Sequence, residues 1–139
     1  MHPTTQSIDL RVHGDRLIAE IRALARIGAT TAGGVSRTAY SDDDLAARAA
    51  VREMMRAAGL DVRVDAAGNS LGARAGSGGD LPPLMIGSHT DTVPDGGRYD
   101  GALGVLAAIE VARLLHEHNL MLRHPLFVLE VDDFQRMLQ

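Results

Sequence analysis

The sequence predicts an α/β protein in which helices pack on a partly parallel sheet. Segments with helical spacing alternate with short apolar strands along the chain. Loops rich in glycine and proline separate those segments, and no repeat, low-complexity tail or linker divides them into two domains. Hydrophobic residues make up 45% of the 139 and charged residues 23%, which suits one domain with a real core.

The elements follow in order. From about Leu10 to Arg26, apolar side chains at Val12, Leu17, Ile18, Ile21, Leu24 and Ala25 keep helical spacing. Thr30 to Ser36 reads as a loop. Ser41 is placed as a helix N-cap, with Asp42, Asp43 and Asp44 in the first turn, where the dipole favours acids. That helix runs to about Ala58 and stops at Gly59. Leu60 to Val64 alternates as a strand, Asp65 to Asn69 turns, and Leu71 to Arg74 returns. After a Gly/Pro-rich loop, Leu84 to Ser88 is expected as a buried strand. Ala102 to His118 is a strongly apolar helix, and Leu126 to Val131 a final buried-type strand.

The composition excludes several function classes. A net charge of -4 and a pI near 5.8 offer no polyanion-binding surface, so nucleic acid is not an expected partner. There are no cysteines, so any metal would have to use His, Asp and Glu. The N-terminus lacks the basic and apolar regions of a signal peptide. The longest apolar stretch, Ala102 to Ile109, is far short of the ~20 residues that span a bilayer. A cytoplasmic protein without membrane contact is therefore expected.

One stretch carries chemistry. His89 and Asp91 follow the strand at Leu84–Ser88, at the end where α/β sheets present ligands. Imidazole is a good ligand for zinc and similar ions. Asp91 could accept a hydrogen bond from the ring nitrogen that is not on a metal, fixing the tautomer. Asp100 follows a glycine-rich turn and precedes a helix, and its two oxygens could bridge two cations. Gly96, Gly97 and Gly101 would let the backbone approach such ions. Singly, a His-x-Asp pair is usually a surface hydrogen bond and an Asp ahead of a helix a cap. Their ordered combination between Gly87 and Val105 favours a metal site. Other histidines take ordinary readings: His116, His118 and His124 suit a helix C-terminal dipole, and His2 and His13 are expected in solvent.

Taken together, Gly33-Gly34-Val35-Ser36-Arg37, Ser41 to Asp44, Asp65 to Asn69, Gly87 to Asp91 and Gly96 through Val105 resemble one family of amidohydrolases. It is related to aminoacylase and carboxypeptidase, in the branch holding N-carbamoyl-L-amino-acid hydrolase, β-ureidopropionase and allantoate amidohydrolase. The segments run in family order from about residue 11 to 126. The run Gly96 to Val105 points to this branch rather than to the peptidases. The resemblance implies a three-layer α/β/α fold with a mixed, mostly parallel sheet, the catalytic domain of a two-metal aminopeptidase-like hydrolase. Residues 1–139 would form its N-terminal part. His89 would bind one metal, Asp100 would bridge both, and Asp91 would orient His89. The ions would be two divalent cations: zinc, manganese, cobalt or nickel. The substrate would be a small amide, such as an N-carbamoyl amino acid or allantoate, cleaved at a carbamoyl or amidino-type C–N bond. The resemblance implies a homodimer formed through a domain that is not expected within these 139 residues.

The C-terminus departs from the pattern. Family members continue with Glu-Glu-Gly-Ser-Arg-Phe, whose first Glu is the general base and second a metal ligand. One alignment sets Asp132 as the base and Asp133 as the ligand, each a methylene short, with Phe134 in place of the glycine and a gap in the strand. Another ends the resemblance near Leu126, as a frameshift or premature stop would, and the gap favours it. Two hypotheses follow. The chain is of hydrolase lineage, truncated and inactive alone, or it is a non-catalytic piece or interaction module derived from that family. A catalytic zinc typically has three protein ligands plus water, whereas His89 and Asp100 offer two for a pair of metals. A separate downstream polypeptide completing the site is a third possibility.

Overall fold

The computed structural model describes residues 9–131. The elements are α1 (Gly14–Leu24), α2 (Asp42–Ala57), β1 (Asp61–Val64), β2 (Ser70–Arg74), β3 (Leu84–His89), α3 (Ala102–Glu117) and β4 (Leu126–Val131). The four strands form one mixed sheet in the order β1-β2-β4-β3.

The connections set the strand directions. A short turn at 65–69 joins β1 to β2, and such a link permits only antiparallel pairing. The chain crosses from β3 to β4 through α3, so these two run parallel. β2 and β4 pair antiparallel. The mixed α/β class stands, but among the described residues parallel pairing is confined to β3–β4. "Mostly parallel" therefore does not describe this part of the sheet.

Helix boundaries follow local chemistry. At α2, the Ser41 hydroxyl accepts the Asp44 N–H, and the Asp44 carboxylate accepts the Tyr40 N–H. This is a reciprocal capping arrangement. Gly59 ends the helix at φ +79°, where a side chain would be strained and would also strike the His116 ring. α1 is shorter than its periodicity suggests. It starts at Gly14, and the N–H of its N-cap His13 donates to Oε1 of Glu110 on α3, 3.0 Å away. That carboxylate is fully buried and also takes Arg16 of α1 and Arg113 of α3.

All three helices share a single apolar cluster with one face of the sheet. It gathers Ile21 and Leu24 from α1, Val51 and Met55 from α2, Leu106 and Ile109 from α3, and Leu126 and Val128 from β4. Cutting Leu106 to alanine there would cost about 2–5 kcal/mol. The opposite face, bearing Leu129 and Val131, carries no helix among the described residues. Of the three expected layers, two are present in this region.

The expected buried strand at Leu84–Ser88 is corrected. β3 lies at the sheet edge, and Leu84, Met85 and Ile86 are 49%, 60% and 40% exposed. Its apolar run suits burial on both faces, but β4 flanks it on one side and α3 covers one face. No described helix is long and apolar enough to cross a membrane.

Candidate functional site

β3 ends on His89, and α3 begins just after Asp100 and Gly101. Two glycines press the strand end against the helix start. A Cβ on Gly101 would lie 2.5 Å from Cε1 of His89, and one on Gly104 would lie 2.7 Å from Cβ of Ser88. Both distances are forbidden, so only glycine allows this approach. Gly101 also adopts φ +68°. The imidazole therefore rests on the α-carbon of the residue next to Asp100, and His89 and Asp100 reach the same corner of the fold.

Asp91 turns back toward the ring. Nδ1 of His89 lies 3.2 Å from Oδ1 of Asp91 and 3.1 Å from its backbone carbonyl. The carbonyl contact has the geometry of a hydrogen bond; the carboxylate oxygen, which is buried, does not. With Nδ1 engaged there, Nε2 is the ring nitrogen left to meet a ligand. Asp100 is exposed on the loop entering α3.

Thr90, between the two, is wholly buried and held from two directions. Its hydroxyl donates to Oε1 of Glu130 on β4 over 2.9 Å. Its carbonyl accepts Nε of Arg37 over 3.0 Å. Arg37 is itself 1% exposed, and its Nη1 donates to the carbonyls of Leu24 and Ile27. Thr92 continues the clamp, exchanging bonds with the backbone of Arg37. Burial pulls the Arg37 guanidinium below its usual value, and the charges of Asp44, Asp43 and Asp91 oppose that pull. Burial likewise pushes the Glu130 carboxyl up, against the charge of Arg48 and the Thr90 hydrogen bond. Arg48 approaches Glu130 at 3.6 Å and Asp44 at 3.2 Å.

The periodicity missed these supports. Arg37 belongs to a matched motif, but nothing in its spacing shows that it grips Thr90. Glu130 left a signal, a carboxylate in a run of buried apolar residues. Gly104 left one too, three residues after Gly101 and so on the same helix face.

The residues expected at the site divide accordingly. His89, Asp91 and Asp100 share one corner. Asp132 and Asp133 lie outside the described residues, as does His2. His124 binds the Pro82 carbonyl through Nδ1, and His116 packs on Gly59. Among the described residues, no group of three or more His, Asp and Glu side chains could hold a metal ion. Beside the corner, Met85, Gly87, His89, Leu129 and Val131 line an open groove of about 350 Å³ on the helix-free face.

No protein-family model matches the chain. It is 38% identical over 122 residues to an N-carbamoyl-L-amino acid amidohydrolase of Geobacillus stearothermophilus, covering 88% of this chain and 30% of that protein. It is 42% identical over 97 residues to an allantoate amidohydrolase of Bacillus subtilis, covering 70% of this chain and 24% of that one. In structure it matches a hydantoinase/carbamoylase family amidase from Burkholderia ambifaria with a TM-score of 0.86 and 43% identity, across 89% of this chain and 31% of the other. The chain thus spans 24–31% of the length of these relatives.

Proposed function

We propose that this chain, which shares descent and fold with the hydantoinase/carbamoylase amidases across the segment it spans, supplies one corner of a metal-dependent amidohydrolase site. The substrate class is a small linear amide with a carbamoyl, ureido or amidino C–N bond, as the names of its relatives suggest. Residues 1–139 correspond, in this reading, to the first part of the catalytic domain.

The observation that carries the reading is the packing of Gly101 on the His89 imidazole. It sets the imidazole, whose Nδ1 faces the Asp91 carbonyl, against the residue that follows Asp100. This fits the beginning of a divalent-metal site: His89 and Asp100 would be ligands, and Asp91 would orient the ring. When bound, such ions polarise a carbonyl and lower the pKa of water. The described residues do not complete the site, because a catalytic zinc needs about three protein ligands and no group of three or more candidate ligand side chains forms among them. This polypeptide's own contribution is positional. Arg37 and Glu130 hold Thr90, Thr90 holds the strand end, and Asp91 holds the ring.

Titration of the polypeptide with cobalt(II), followed by its visible spectrum and by calorimetry, tests the reading. Binding that is lost in both His89→Ala and Asp100→Asn is expected. Binding indifferent to both changes would show that the corner is not a metal site.

A further inference from the structure

We propose that a hollow beside the C-terminal end of α1 binds a small oxyanion, of carboxylate or inorganic phosphate type, through Arg22, Arg26 and Arg98. The hollow has a volume of about 330 Å³, and these arginines line it with Ala25, Val35 and the Gly33–Gly34 turn. The site shares no residue with the His89 corner and does not depend on the metal reading.

The convergence on one hollow of three arginines without a carboxylate partner among the described residues carries the inference. Arg16, Arg48, Arg56 and Arg113 each sit against a carboxylate. Among the described residues, Arg22 and Arg26 have no such partner, and Arg98 reaches only the Gly33 carbonyl, 3.4 Å away. Arg22 and Arg26 are four residues apart, near neighbours of like charge. A helix C-terminus ordinarily compensates such cations with its free carbonyls. Here the buried Arg37 already occupies the carbonyls of Leu24 and Ile27. Asp95 borders the hollow at Gly34, where its carboxylate accepts the Thr30 hydroxyl.

Backbone donors do not compete for the ligand. The N–H groups of Gly33 and Gly34 are already bonded to the carbonyl and hydroxyl of Thr30. The guanidinium forks are therefore the anion's partners. A ligand with two or three oxygens on one centre suits them, because each fork can make paired charge-assisted bonds. Alanine and valine in the wall leave room for a short apolar stem on a carboxylate.

The test uses the 139-residue chain at constant ionic strength. Sodium phosphate and sodium malonate are titrated separately, with sodium chloride as control, and the arginine Nε–Hε signals are followed by NMR. Saturable shifts at Arg22, Arg26 and Arg98 are expected with at least one of the two anions. The exposed Arg63 and Arg123 should stay still. The tighter of the two anions identifies the ligand type. An Arg22→Gln/Arg26→Gln double variant should weaken binding by ~10-fold or more, while Arg63→Gln leaves it unchanged. These residues are exposed, so the variants should keep the fold. Linear shifts spread over all arginines, or unchanged affinity in the double variant, would overturn the proposal.

Discussion

The α-carbon of Gly101 abuts the imidazole of His89 so closely that an added methyl would sit 2.5 Å from Cε1. This contact joins the end of β3 to the start of α3 and depends on an absent side chain. Gly101→Ala should therefore destabilise the protein twice over. The φ of +68° costs about 1–3 kcal/mol for alanine, and the clash adds to it. Gly97→Ala is the control: nothing lies within 4 Å of its Cβ position, so its effect should stay within about 0.5 kcal/mol. Urea denaturation of both variants measures the difference.

Thr90→Val should cost about 1–3 kcal/mol, because it removes the hydroxyl that satisfies Oε1 of the buried Glu130. Thr90→Ser keeps that donor and should recover most of the bond, losing only the methyl contacts. Equal losses in the two variants would show that packing, and not the hydrogen bond, fixes this residue.

If the Asp91 carboxylate orients the imidazole in addition to the backbone carbonyl that bonds Nδ1, Asp91→Ala, which keeps that carbonyl, should weaken cobalt binding by ~10–100-fold without abolishing it. The residue's Oδ1 lies 3.2 Å from Nδ1 and is turned toward the ring. Complete loss of binding would make Asp91 a ligand, and no change would remove it from the site.

Acid should loosen the packing of α1 on α3. Burial pushes the Glu110 carboxyl up, but hydrogen bonds from Arg16 and the His13 N–H, with the charges of Arg16 and Arg113, bring it below its ordinary 4.5. A depressed folded-state pKa means that the ionised form stabilises the fold above about pH 4.5. That stabilisation fades as the pH falls through the folded-state value. Denaturation midpoints measured from pH 7 down to pH 3 should fall more steeply in the parent than in Glu110→Gln.

The 139-residue polypeptide alone should hydrolyse neither N-carbamoyl amino acids nor allantoate above background, with zinc, manganese or cobalt added. Two ligands cannot fix a metal pair, and a general base must come within ~2.6–3.2 Å of the attacking water. Metal-dependent turnover that disappears in Asp132→Asn would reverse this expectation and identify Asp132 as the base.

The sequence by itself determined the local grammar. The Ser41 cap, the Gly59 stop, the turn at 65–69 and the strand at Leu126–Val131 follow from residue chemistry and spacing over a few positions. The motif through Gly101 also marked where His89, Asp91 and Asp100 sit along the chain. What joins distant segments needed the tertiary structure. Periodicity reports which residues want burial, not which neighbour will bury them, so β3 read as a core strand although it lies at an edge. The N-cap N–H of α1 is held by Glu110, a residue nearly a hundred positions away. The grip of Arg37 and Glu130 on Thr90 spans 53 and 40 residues, and no window of spacing can register it. Such bonds form only when chain crossings bring buried donors and acceptors within about 3 Å, and unpaired they would each cost folding free energy.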